Sequence, residues 1–216
     1  MLRYARIKLF YFLKAFVAPH ARRGRMQDFE RLLQPSRGTR IIDLGGTPHI
    51  WQFVDTPMNI TIVNLPESNM YEEVCSHHTF TFIEGNATNL SEFNDNQFDI
   101  AFSNSVIEHV GGSENEKLFA EEVRRLAPSY WVQTPSVWFP VEAHTGIPFW
   151  WWIPKSIKDA MHRRWEKILP DWNEMISGTT VISKSHLKSY FPDGILKTET
   201  MLGMPKSYYT YRAPQQ

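Results

Sequence analysis

The sequence predicts an α/β fold built on a parallel sheet, on three observations. The stretch Arg40-Ile41-Ile42-Asp43-Leu44-Gly45-Gly46-Thr47-Pro48 reads as a buried strand, an acid, a glycine turn and a helix start. The runs Ile60–Asn64, Phe80–Ala87 and Phe98–Asn104 are short and apolar or β-branched, and helical or turn-forming segments separate them. Polar residues collect at the ends of these runs, where open α/β sheets bind ligands.

The glycine turn carries the most chemistry. Gly45 and Gly46 permit a sharp turn and let backbone pass close to a ligand. Thr47 suits an N-cap and Pro48 the first helical position. No Gly-Lys-Ser/Thr follows, so this is not a P-loop, and the full three-glycine dinucleotide fingerprint is missing.

Taken together, these segments resemble the class I S-adenosylmethionine-dependent methyltransferases, in particular the small type 11 group. Asp43-Leu44-Gly45-Gly46 stands for the glycine motif, Asn64 for the end of the second strand, and Gly85-Asn86-Ala87 for the usual Gly-Asp-Ala. Phe98-Asp99-Ile100-Ala101-Phe102-Ser103-Asn104-Ser105-Val106-Ile107-Glu108-His109-Val110 is similar to that group's fourth-strand motif over nearly its whole length. The resemblance covers roughly residues 36–135 and resumes near 180. It implies a Rossmann-like sheet ordered 3-2-1-4-5-7-6, strand 7 antiparallel, with helices on both faces. It also implies S-adenosylmethionine as cofactor, held by Asp43, Gly45, Gly46, Thr47, Asn64, Leu65, Asn86, Ala87, Ser103 and Asn104. Asn64 and Asn86 stand where the family usually has acids. An amide oxygen still accepts a hydrogen bond, without charge assistance.

Later segments continue the pattern. Ser113 and Glu116 have capping-box spacing before a stripe of Leu118, Phe119, Val123 and Leu126, which Pro128 ends. Tyr130–Thr134 reads as the fifth strand. Ser183 can cap a short helix through Phe191, and Ile195–Thr200 and Ser207–Tyr211 read as two final strands joined around Gly203. Between them, residues 135–180 are too rich in proline and aromatics for an ordinary helix and too apolar for an idle loop. A helix over Lys155–Leu169 follows, with Ile157, Met161, Trp165 and Ile168 on one face. This insertion is expected to form an aromatic wall over the acceptor. The alternatives are ordinary core or a patch for a partner.

Composition fits one domain with a sizeable core, divided into an N-terminal helical cap over 1–35 and the methyltransferase domain over 36–216. The single cysteine, Cys75, excludes an intramolecular disulfide and a cysteine-based zinc cluster, and suits a reducing, cytoplasmic setting. The formal net charge is zero, but residues 1–40 hold ten Lys/Arg and two Asp/Glu, a surplus of eight that the rest of the chain balances. Met1–Val17 reads as a helix with Leu2, Leu9, Phe12, Leu13 and Phe16 near one face; Lys8 and Lys14 argue against a membrane span. It is expected either to pack as a lid or to lie on a membrane surface as a peripheral contact, with Arg22, Arg23 and Arg25 beside it. A second helix is expected around Met26–Leu33, ending before Pro35.

For chemistry, Glu142 and His144 sit two apart, on one side of an extended segment, and His109 follows the fourth strand. A neutral histidine can take a proton from a hydroxyl near pH 7, and a carboxylate can orient it. No tight ligand spacing supports a metal. His77-His78 is expected at the surface. The expected activity is methyl transfer to a small-molecule, glycan or lipid-linked acceptor, at a hydroxyl oxygen. The alternatives are a non-catalytic S-adenosylmethionine-binding or membrane-associated partner protein, and a protein or nucleic-acid methyltransferase. The acidic body beyond residue 40 argues against RNA.

Overall fold

The computed structural model describes residues 19–66, 77–141 and 145–214. The expected 1–17 helix, Cys75, Glu142 and His144 lie outside the described residues. Seven strands form one sheet: β1 (Arg40–Leu44), β2 (Asn59–Asn64), β3 (Thr79–Glu84), β4 (Ile100–Asn104), β5 (Ser129–Pro135), β6 (Ile195–Met201) and β7 (Met204–Arg212). Their order is β3-β2-β1-β4-β5-β7-β6. The first five strands run parallel, and β7 lies antiparallel to both β5 and β6. This is the expected topology. A register shift opposite Glu199/Thr200 leaves Lys206 as an extra residue, a bulge in β7 where it pairs with the edge strand β6.

Strand pleating divides the apolar residues between two cores. Ile41, Ile60, Ile62, Ile100, Phe102 and Trp131 face one; Ile42, Leu44, Val63, Ala101, Tyr130 and Val132 face the other. The central strands β1, β4 and β5 are covered on both sides and read as near-continuous apolar runs, while the edge strand β3 alternates and is half exposed. Helix α1, whose described part covers 19–33, supplies Met26, Phe29 and Leu33 to the first core at helical spacing. Phe29 is fully buried and meets Trp51, Phe102 and Trp131 edge-on, with ring centroids 5.7, 5.4 and 6.0 Å away. Helix α2 (Ser113–Leu126) supplies Phe119, Ala120, Val123 and Leu126 to the second core, beside Leu187 of α5 (Lys184–Tyr190). Helix α1 ends just before the turn that feeds β1, so it runs antiparallel to β1, and its early residues reach the carboxyl edge of the sheet.

Four local expectations are corrected. The segment after the glycine turn is a six-residue 3₁₀ helix, Pro48–Phe53, and extended Thr47 makes no side-chain cap bond. Gly112, not Ser113, is the N-cap of α2; the Glu116 carboxylate instead accepts from Thr180 Oγ1 (2.9 Å) and Tyr190 Oη (2.9 Å), so tertiary partners win over the local box. His78 is buried: its Nδ1 accepts from the Met58 amide (3.3 Å) and its ring packs near Trp51. The second N-terminal helix begins well before Met26, because the polar residues ahead of it continue the helical phase. Ser183 does cap α5, accepting from the His186 amide at 3.1 Å.

The 135–180 segment folds into a short 3₁₀ turn (Trp150–Trp152), α3 (Lys155–Ile168) and α4 (Pro170–Ser177). Ile147, Trp150 and Ile176 form a small core of its own, joined by Trp151, Ile153, Met161 and Trp165. The expected apolar face of α3 is only half used, since Ile157 and Ile168 are exposed. Trp138, Phe149 and Trp152 form an exposed ring cluster, with Trp152 centred 5.6 Å from Trp138 and 5.4 Å from Phe149. Among the described residues, no helix is long and apolar enough to cross a membrane.

Phe29 fixes α1 to the sheet through three buried rings, so Phe29→Ala is expected to cost about 3–5 kcal/mol, read as a lowered urea midpoint with an unchanged slope. An effect under about 1 kcal/mol would mean that the cage collapses onto the gap without loss.

Candidate active site

The carboxyl edge of the sheet brings together most of the residues singled out in the sequence. Gly45 sits at φ +75°, a conformation that favours glycine, and a Cβ there would meet Val106 at 2.6 Å. A Cβ on Gly46 would lie 1.9 Å from Asp43 Oδ2. The second glycine is therefore required by the carboxylate beneath it. That carboxylate is fully buried; Oδ2 accepts from Trp51 Nε1 at 2.8 Å, and Oδ1 has no partner among the described residues. Burial pushes the Asp43 pKa up to about 7, against the single bond from Trp51. Asn64 at the tip of β2 donates from Nδ2 to the Gly46 carbonyl (2.9 Å), which leaves Oδ1 as an acceptor at the mouth.

The other expected cofactor residues are placed less uniformly. Thr47 and Leu65 are exposed beside the turn. Asn86 Oδ1 accepts from both the amide and the hydroxyl of Thr88, at 3.0 and 2.9 Å, so this side chain presents its NH₂ rather than its oxygen. Ala87 packs partly against the second core. Ser103 is buried and bonds the Leu44 carbonyl (3.1 Å), stitching β4 to β1. Asn104 Oδ1 accepts from Arg25. His109 lies at the end of the 3₁₀ turn Ile107–His109, exposed, with Nδ1 3.2 Å from Thr179 Oγ1. Buried Glu108 next to it accepts from Thr134 Oγ1 at 3.1 Å.

A polar group that the sequence reading did not find occupies the same edge. Arg25 is 8% exposed. It reaches Asn104, Gln133 Oε1 (3.1 Å) and Glu199 Oε2 (2.7 Å), three strands at once. Ser105 Oγ also donates to Gln133 (2.9 Å), and Ser105 holds φ +59°, a conformation uncommon outside glycine. Lys206 Nζ completes the group at 2.9 Å from Glu199 Oε1. The one available signal was an arginine next to the apolar positions 26, 29 and 33, which local periodicity assigns to solvent. By contrast, a cleft of about 760 Å³ lined by Pro35, Gly38, Asp99, Ser129 and Arg212 opens at the amino edge, away from every one of these groups.

Residues 49–131 match the family model described as a methyltransferase domain. Over these residues the chain is similar to that methyltransferase-domain family, and its strand order is the one the resemblance implies. Solved structures agree in fold. DhpI, solved in complex with SAH, is 16% identical with a TM-score of 0.53, over 99% of this chain and 96% of that one. The Haloferax volcanii methyltransferase solved with the Trm112 methyltransferase activator is 12% identical with a TM-score of 0.53, over 94% and 93%. Haemonchus contortus phosphoethanolamine N-methyltransferase 2 is 14% identical with a TM-score of 0.49, and this chain spans only 37% of its length. Comparison with curated proteins gives no match.

The turn fits S-adenosylmethionine, the cofactor that the resemblance implies. The two glycines leave a cradle that a Cβ would fill, Asp43 keeps a buried oxygen without a partner among the described residues, and Asn64 offers an acceptor. A Gly46→Ala methyltransferase is therefore expected to lose most of its S-adenosylmethionine affinity in calorimetry, because either Asp43 or the turn must move. Affinity equal to wild type would remove the turn from the site. Asp43 also predicts a pH dependence. Its folded pKa lies above its unfolded value of about 3.9, so the folded state binds the proton more tightly. Stability from this group is complete below about pH 4 and is lost as pH rises through about 7. Asp43→Asn should flatten that part of the curve when urea midpoints are compared between pH 5 and 8.

Proposed function

We propose that this methyltransferase transfers a methyl group to a hydroxyl oxygen of a small-molecule, glycan or lipid-linked acceptor, bound between the strand tips and the 135–180 insertion. The observation that carries this reading is the anchoring of both ends of the insertion at the carboxyl edge. It departs at Ser136, whose amide donates to the Lys206 carbonyl (3.0 Å) and whose hydroxyl bonds Tyr208 Oη (3.0 Å). It returns at Thr180, whose amide donates to the Glu108 carbonyl (2.7 Å). An aromatic-rich segment held at that edge supplies the wall that keeps an acceptor in place and water out.

Asp43, Gly45, Gly46, Thr47, Asn64, Leu65, Asn86, Ala87, Ser103 and Asn104 are proposed to hold the cofactor, Asn86 through its NH₂ and Ser103 through its backbone. When bound, S-adenosylmethionine supplies the electrophilic methyl. The chain's task is then to align an acceptor oxygen and relieve it of its proton. His144, oriented by Glu142, is proposed as the base, with His109 as the alternative. The 3.2 Å contact between His109 Nδ1 and Thr179 turns that ring along the insertion's return. The activator-bound Haloferax structure suggests a second protein as a further partner, for which the exposed rings of Trp138, Phe149 and Trp152 offer area.

The test is release of S-adenosylhomocysteine from the full chain against a panel of hydroxylated acceptors. With an accepted substrate, His144→Ala is expected to lower kcat roughly a hundredfold with cofactor affinity kept, and the wild-type rate to fall as pH drops through about 6.5. A flat profile between pH 5 and 8 with full activity in both His144→Ala and His109→Ala would leave alignment alone as the mechanism. Cofactor binding without turnover on any acceptor would favour the non-catalytic binding role.

A further inference from the structure

We propose that the acceptor carries a phosphate-type oxyanion, and that Arg22 and Lys206, backed by Arg25, form the subsite that binds it. The inference rests on the methyltransferase reading above and narrows its substrate class.

Helical phase places Arg22. Met26, Phe29 and Leu33 form the stripe of α1 that faces the sheet, each at most 1% exposed. Arg22 lies on the same stripe one turn earlier, four residues before Met26 and seven before Phe29. At that level the sheet has ended, since Arg25, one turn below, already bonds the tips of β4 and β5 at Asn104 and Gln133. A stripe position that is apolar along the sheet is thus a guanidinium where the helix overhangs the mouth, and its side chain reaches solvent there.

The charge count around it is unbalanced. Glu199 is the carboxylate of the group, and it already takes Arg25 through Oε2 and Lys206 through Oε1. Ser207 donates to the same carboxylate. Despite burial, Arg25, Ser207 and Lys206 together hold its pKa below the usual range. Two cations therefore share one carboxylate, and the Arg22 charge acts on Lys206 beside them with no carboxylate of its own among the described residues. Asp28, one turn along α1, is engaged by Arg31 and by Tyr209 Oη (3.0 Å), and Asp43 lies buried under the glycine turn. The neighbouring tips are the neutral amides Asn64, Asn104 and Gln133, which do not offset the surplus. Burial and the adjacent Arg25 charge both lower the Arg22 pKa, and burial does most to lower that of Lys206. Both effects mark cations that gain by acquiring an anion. Arg22 keeps its planar fork of donors and Lys206 two further protons, a match for a tetrahedral oxyanion.

The experiment uses the full chain saturated with S-adenosylhomocysteine and inorganic phosphate as probe, read by calorimetry and thermal shift. Wild type is expected to bind phosphate saturably, and both Arg22→Gln and Lys206→Gln to weaken it at least tenfold, with S-adenosylhomocysteine affinity unchanged in both and the unliganded Tm unchanged in Arg22→Gln. Co-sedimentation with phosphatidate vesicles that is lost in Arg22→Gln would assign a lipid phosphate; binding of dissolved phosphate alone would assign a soluble monoester. No phosphate binding by wild type, or equal binding by Arg22→Gln, overturns the subsite. Phosphate that competes with S-adenosylmethionine also overturns it, because the cations would then serve the cofactor. Failure of S-adenosylmethionine itself to bind, measured separately, would count against the cofactor site instead.

Discussion

The cage around Phe29 is the contact on which the geometry of the mouth depends. Trp51, Phe102 and Trp131 come from three different elements, and each turns an edge or a face to the same ring. Trp131 in turn stacks on Tyr209, with ring centroids 4.2 Å apart. Aromatic packing of this kind is short-ranged and orientation-dependent, so it sets the height and rotation of α1 and not merely its burial. Everything α1 delivers to the carboxyl edge follows from that setting. Trp51 links the cage to the glycine turn as well, since its indole N–H donates to buried Asp43. The apolar core and the polar group beneath the glycine turn therefore share a side chain.

Arg25 shows what such rigidity is used for. A buried cation needs an anion and several acceptors, and this one spans β4, β5 and β6 to find them. The pair with Glu199 is costly to desolvate and adds little net stability; its value is positional. It fixes which way the tips of β4 and β5 present their amides. It also ties the C-terminal hairpin to the N-terminal helix across 174 residues of sequence. The left-handed backbone of Ser105 belongs to the same arrangement, since the residue is held between the backbone and the side chain of Gln133.

The fold was legible in the sequence because it rests on short-range rules. Alternation and β-branching marked the strands, and paired glycines marked the turn after β1. Where the reading failed, a distant partner displaced a local one. Glu116 had the spacing to cap α2, but Thr180 and Tyr190 claimed its carboxylate. His78 was expected at the surface because it lies before the third strand, away from the expected pocket, yet its ring is buried and accepts from the Met58 amide. Arg25 was hidden for the same reason: its partners are strand tips and a hairpin, none of them near it in the chain. Of the residues expected to hold the cofactor, Asn64 spends only its NH₂ on the Gly46 carbonyl, while the Asn86 oxygen is consumed by its own turn. Residue type alone does not distinguish these two outcomes.

The bulge at Glu199/Thr200 carries one more implication. β6 is an edge strand, and an edge presents unpaired backbone to any sheet that approaches it. The extra residue of the bulge is Lys206 of β7, and the twist it adds keeps the β6 edge from being a straight template for a second strand. The same residue is the lysine that pairs with Glu199. The shape of the exposed edge and the charge layout at the strand tips thus hang on a single backbone feature. Selection for either one preserves the other, and a redesign that removes the bulge from β7 for added stability would put both at risk together.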